Sequence, residues 1–288
     1  MPDIWGQAAI ATKILLYLGV LTSVGMVLCR QVFSDQLARL DRYMRAWAVA
    51  FGVLAAAMSL LSFAVQGAVL MDDASGMIDP SILAILWGTP PGDALLLRLL
   101  GFGALLIGAA IGGRWLWVAL LGGFVAIWSF CEIGHVANED HLWFRSVLFV
   151  HLVVAAFWLG VLLPLHRLSR SADSLTVAAV LGHRFGQVAS VAVPFLLIAG
   201  VVMSWRLVGS FSALLGTVYG LTLLAKVAVV AGLLILAAIN KARHVPDLQR
   251  GDAGAGVRLA RSITLEWFCI GAILFVTAVL TSILTLPT

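Results

Sequence analysis

Eight apolar stretches govern what this chain can fold into: residues 8–30, 46–70, 94–112, 115–133, 146–166, 186–208, 219–240 and 263–284. Each is long enough to cross about 30 Å of hydrocarbon at about 1.5 Å per helical residue, with the third and fourth at the short end. Inside a bilayer only a helix or a closed barrel satisfies every backbone N–H and C=O. The alternation over about ten residues that marks a barrel strand does not occur here. Of the 288 residues 11% are charged and 62% hydrophobic, whereas about 25% are charged in a soluble domain. A soluble enzyme, a disordered tail and a secreted disulfide scaffold are thereby excluded. Three widely spaced cysteines, Cys29, Cys131 and Cys269, imply no disulfide framework. The segment MPDIWGQAAIATKILLYLGV lacks the basic run and cleavage site of a signal peptide and reads as the start of the first membrane helix.

The basic residues orient the bundle. The first, third, fifth and seventh loops hold thirteen of the eighteen Lys+Arg: Arg30, Arg39, Arg42 and Arg45; Arg114; Arg167, Arg170 and Arg184; and Lys241, Arg243, Arg250, Arg258 and Arg261. The alternate loops are acidic, with Asp72, Asp73, Asp79 and Asp93, then Glu139 and Asp140. The positive-inside rule places the basic loops in the cytoplasm and both termini outside. The net charge of +4 is therefore a topological signal, and no nucleic-acid partner is implied. The partner that composition does imply is the lipid bilayer.

An internal match divides the chain. LWGTPPGDALLLRL (86–99) and LLGTVYGLTLLAKV (214–227) align at a constant offset of 128, pairing Gly88 with Gly216, Thr89 with Thr217, Gly92 with Gly220 and Arg98 with Lys226. A weaker match sets YLGVL (17–21) against WLGVL (158–162). The expected fold is an all-α polytopic membrane protein of eight transmembrane helices, arranged as two parallel four-helix repeats of a kind that recurs in transporters. The first repeat spans 1–133, a periplasmic loop 134–145, and the second repeat 146–288. Thr89 and Thr217 are candidate helix caps, although the cap can equally fall a residue or two later.

Cations at the depth of Arg98 and Lys226 are costly and seldom left unpaired. Glu132 and Glu266 are the candidate partners, with Glu132 at the depth of Arg98. Snorkelling to the outer headgroups is the alternative for Lys226. For Glu266 a structural hydrogen bond to Asn240 or to neighbouring backbone is the expectation. His151 lies inside the fifth span, and an ionisable group there is a functional candidate by default, against the plainer reading of a neutral imidazole bonded to a neighbouring helix. Cys131 and His135 lie four residues apart on one helix face beside Glu132. The short connection makes spans four and five antiparallel neighbours, so His135 and His151 can meet at one outer depth. Two imidazoles with a nearby thiol and carboxylate form a ligand set for a late first-row metal: thiolate selects Cu(I), and imidazole with carboxylate also takes Cu(II).

The segments GHV (134–136), HLVVAAFWLGVLLPL (151–165), LLGTVYGLTLLAKVAVVAGLLILAAIN (214–240) and RSITLEWF (261–268) resemble the copper resistance protein D (CopD/PcoD) family of bacterial inner-membrane proteins. The resemblance is loose over the whole chain and close over 130–284. It implies an eight-helix protein associated with moving copper ions from periplasm to cytoplasm, often beside a separate periplasmic copper-binding protein of the CopC type. By position it makes His135 and His151 the metal-associated residues, and Lys226, Asn240 and Glu266 a polar framework. Cys131 matches no family pattern and rests on spacing alone. Neither a GxxxxGK[ST] loop nor a DKT-type aspartate is present in the sequence, which argues against ATP-driven pumping by this chain. The expected activity is carriage and not catalysis. Two other readings stay open: a b-type cytochrome with His135 and His151 as axial haem ligands, and a copper chaperone or oxidase-assembly factor that binds metal without moving it.

Overall fold

A computed structural model describes residues 3–134 and 142–284. Eight long helices lie along the chain: α1 (Ile4–Val32), α2 (Asp41–Met71), α3 (Pro90–Ile111), α4 (Leu116–Trp128), α5 (Leu142–Ser169), α6 (Leu175–Val208), α7 (Val218–Ile239) and α8 (Ala255–Ser282). They correspond one for one to the eight apolar stretches, and each belongs to a segment long and apolar enough to cross a membrane. No strand occurs among the described residues. The chain is a multi-pass membrane protein.

Several helices overrun the apolar stretches. α6 begins eleven residues before residue 186, and the helix Val245–Gln249 prolongs α7 past residue 240 through a π-helical turn, Asn240–His244. These overruns carry His183, Arg184, Lys241 and Arg243. Polarity marks where the hydrocarbon ends, but a helix whose backbone already pairs with itself continues into water until a breaker stops it. For α7 the end comes at Gly251, at φ +75°.

The core is centred on α1, which packs against α2, α4, α5 and α8. Its crossing with α5 is a backbone-to-backbone contact. A Cβ added to Gly25 would lie 1.9 Å from the carbonyl oxygen of Ala156, and one added to Gly160 would lie 2.1 Å from the Gly25 carbonyl. Small residues that let backbones touch are the usual means of helix association in lipid, where no hydrophobic drive exists between helices. Ties at both ends hold α1 in place. Lys13 Nζ donates to the Thr281 carbonyl of α8 at 2.7 Å, and Arg30 Nε meets Asp41 at 2.8 Å. Arg45 of α2 reaches the end of α3, donating to the carbonyls of Ala109 and Ala110, where a cation also complements the helix dipole.

The 128-residue offset has a local structural counterpart. α3 and α7 both have 22 residues, and their ends correspond at that offset. Each follows a short helix, Pro80–Trp87 or Phe211–Gly216, and each starts after an extended threonine, Thr89 or Thr217. Thr217 caps α7 by accepting from the Gly220 N–H at 3.1 Å. Thr89 makes no such bond: the equivalent Gly92 N–H donates to the Thr89 carbonyl at 2.8 Å, and the Thr89 hydroxyl turns back to the Leu86 carbonyl at 2.5 Å. A Cβ at Gly92 or Gly220 would strike the carbonyl oxygen of Trp87 or Leu214, at 2.1 and 2.3 Å. The two parts differ at one seam: α2 and α3 pack along one another, whereas α6 and α7 barely touch except through the helix Val245–Gln249.

Candidate functional site

The 3-10 turn that follows α4, Ser129–Cys131, and the first turns of α3 and α5 converge on the face opposite the basic loops. A hollow of about 360 Å³ opens there, lined by Pro90, Pro91, Asp93, Glu132, Ile133, Gly134 and Arg145. Glu132 accepts from Arg145 Nη1 at 2.8 Å and from Trp128 Nε1 at 2.8 Å. The Cys131 thiol is buried beside it and donates to the Arg145 carbonyl at 3.3 Å. Arg145 was not among the candidates, yet a Glu closing one span and an Arg opening its antiparallel neighbour were the available signal. The pairing of Glu132 with Arg98 does not occur.

Arg98 is 5% exposed, and its Nε donates to the Ser129 hydroxyl at 3.0 Å. Its guanidinium lies over the Phe130 ring, 4.5 Å from the centroid, so the quadrupole of an aromatic face stands in for a counter-ion. Its Nη2 is buried without a hydrogen-bond partner.

His135 and His141 lie outside the described residues; Gly134, which precedes His135 in the sequence, lines the hollow. His151 is on α5 and faces α6: its Nδ1 is 3.1 Å from the Leu196 carbonyl oxygen, and Cε1 is beside Gly200. A carbonyl only accepts, so Nδ1 carries the proton and Nε2 keeps its lone pair, the arrangement found in metal-ligating histidines. Lys226 of α7 is within electrostatic reach of this imidazole. His151 does not join Cys131 and Glu132. It stands six residues beyond Arg145, about 9 Å along the axis and on another face of the helix. Among the described residues no group of three or more His, Cys, Asp or Glu side chains converges on a common point.

Glu266, Asn240 and Trp158 form a third polar group where α5, α7 and α8 meet. Glu266 accepts from Asn240 Nδ2 at 2.5 Å and from Trp158 Nε1 at 2.9 Å. Trp158 escaped the sequence reading because inside WLGVL it counts only as an apolar residue. Lys226 does not pair with this carboxyl.

Asp72, Asp73 and Asp79 lie between α2 and α3, on the face opposite the basic loops. Asp73 is fully exposed, and bonds from the Ser75 hydroxyl and the Ser75 N–H hold its carboxyl below the usual range, so that it stays ionised well into acid.

The family profile described as Copper resistance protein D-like, N-terminal domain, matches residues 1–143. The profile described as Copper resistance protein D matches residues 179–280. No curated protein and no solved structure matches the chain.

Proposed function

Since the chain belongs to the copper resistance protein D family, we propose that it carries copper ions across the bacterial inner membrane from periplasm to cytoplasm, as a permease and not as an enzyme. The observation that carries this reading is the hollow at the ends of α3, α4 and α5. It sets the carboxylates of Asp93 and Glu132 beside Gly134, the residue before His135. Acidic walls raise the local concentration of cations, and Glu132 with Cys131 and His135 supplies donors suited to copper in either oxidation state. His151 is the next ligand inward, its Nε2 free to bind and its ring fixed by Leu196. The loose seam between α6 and α7 beside His151 lies within the second half and gives these two helices room to shift against each other. Two parallel four-helix repeats, supported by the matching geometry of α3 and α7, would place the path between the halves, as in other repeat transporters. Copper reaches the hollow from a separate periplasmic protein of the CopC type or directly from solution.

The test is copper accumulation by cells producing the wild type or the double variant His135→Ala/His151→Ala, together with metal content and an absorption spectrum of the purified proteins. Transport predicts several-fold more cell copper with the wild type and no gain with the double variant. Copper bound by the pure protein without any cellular gain supports a chaperone instead. A strong Soret band lost in the double variant supports a bis-histidine haem protein and overturns the proposal.

A further inference from the structure

Glu266 is only 2% exposed, and both of its carboxyl oxygens take hydrogen bonds from neutral groups, Trp158 Nε1 and Asn240 Nδ2. No Lys, Arg or His among the described residues forms an ion pair with it. Several ionisable side chains on the elements packed around it are engaged elsewhere, whereas His244 of the turn Asn240–His244 keeps a buried Nδ1 without a hydrogen-bond partner. On α1 the Cys29 thiol donates to the Phe157 carbonyl, and Arg30 pairs with Asp41. On the α7 extension Lys241 donates to Ser190, and Asp247 accepts from Arg250 and from Arg258 of α8. His166 of α5 lines a separate hollow with Leu163, Thr264, Trp267 and Phe268. On α6 it is Phe185 that packs against Trp158, while His183 bonds Gln187 and Arg184 reaches Gln36.

Two further observations concern Asn240. Its Oδ1 is buried and has no hydrogen-bond partner, although its Nδ2 is bonded to the carboxyl. It also opens the π-helical turn Asn240–His244, a distortion that gathers at functional sites. A buried carboxylate without a cation is strongly disfavoured against its neutral acid. The neutral acid, however, needs an acceptor for its O–H. The Asn240 amide can serve both states: Nδ2–H donates to a carboxylate and, turned over, Oδ1 accepts from an acid. The orphaned oxygen is the acceptor that the protonated form requires.

We propose that Glu266 is a proton-exchange site, with the Asn240 amide turning over as the proton comes and goes. A proton from water adds to Oε1 and forms an O–H bond; on release it returns to water and the carboxylate regains the Nδ2–H donor. No group is oxidised or reduced. Only the identity of the process it serves, copper passage, rests on the proposed function; the proton site itself does not.

Infrared difference spectra of the purified protein, recorded from acid to alkaline pH, test the site without copper. The expected result is a carboxylic-acid C=O band that gives way to carboxylate as pH rises. It is absent in Glu266→Gln, retained with a shifted midpoint in Glu266→Asp, and displaced in frequency in Asn240→Leu. A band that ignores pH, one that survives in Glu266→Gln, or a carboxylate that responds to Na⁺ and not to pH overturns the proposal. In proteoliposomes an imposed pH gradient should change initial copper uptake by the wild type at least threefold and leave Glu266→Gln unresponsive. An equal response from both overturns the coupling.

Discussion

Two carboxylates of this chain look alike in the sequence, each at the end of an apolar span, and their surroundings make them different. Glu132 is about a quarter exposed and pairs with Arg145 at the face opposite the basic loops. Such pairs are worth about 0–1 kcal/mol, so Glu132→Gln should leave the unfolding free energy in detergent nearly unchanged, while weakening copper capture at the hollow. Glu266 is sealed among helices, and Trp158→Phe leaves one of its oxygens without a donor. A buried polar atom left unsatisfied costs about 1–3 kcal/mol, and chemical unfolding of the variant in detergent should register that loss. Equal effects from the two substitutions would show that burial does not separate these residues. The bond between Glu266 and Asn240 was legible in the sequence, since an Asn ends one span and a Glu begins the next. The Trp158 donor was not, because apolar periodicity says which residues are inside and not which indole N–H finds an oxygen. Arg98 is a similar case: its depth was readable, but its cover by the Phe130 ring depends on how α3 meets the end of α4.

At the scale of helices, the sequence located all eight spans because hydrocarbon thickness demands a length of apolar chain that few other structures need. It could not locate the helix ends beyond the membrane, nor the apolar short helices Pro80–Trp87 and Phe211–Gly216, which fall between the spans and are too short to cross the bilayer. Nor could it rank the many glycines, since a small residue at a crossing and one facing lipid read the same. Gly25 and Gly160 are at the crossing of α1 and α5, where an added Cβ meets backbone that cannot move aside. Gly232 of α7 has nothing within 4 Å of where its Cβ would be. Overpacking a fitted contact costs about 1–3 kcal/mol and sometimes more, whereas Gly→Ala in an open helix gains up to about 1 kcal/mol. Gly25→Ala and Gly160→Ala should therefore lower the unfolding midpoint and the yield of monodisperse protein, while Gly232→Ala keeps or raises both. Tolerance of Ala at both crossing positions would mean that α1 and α5 do not touch in the membrane.

The whole molecule has two chemically distinct faces, and the direction of copper movement depends on which one meets the cytoplasm. Arg39, Arg42, Arg114, Arg167 and Arg170 gather on one side, and Asp72, Asp73, Asp79 and Asp93 on the other. The hollow with Glu132 opens on the acidic side, and Glu266 lies toward the basic side, twelve residues beyond the Gly254 that precedes α8. Residues for labelling can be chosen from the loops: Ala74 is exposed on the acidic face, and Ala172 and Ala253 on the basic one. Cys29 and Cys131 are buried, and Cys269, only partly so, is replaced by Ser as background. A membrane-impermeant thiol reagent should then label Ala74→Cys in intact cells with an opened outer membrane. Ala172→Cys and Ala253→Cys should react only after the inner membrane is permeabilised. The reverse pattern would put the acidic hollow in the cytoplasm and the Glu266 side outside. Copper gathered at that hollow would then leave the cell, and the same residues would describe an exporter.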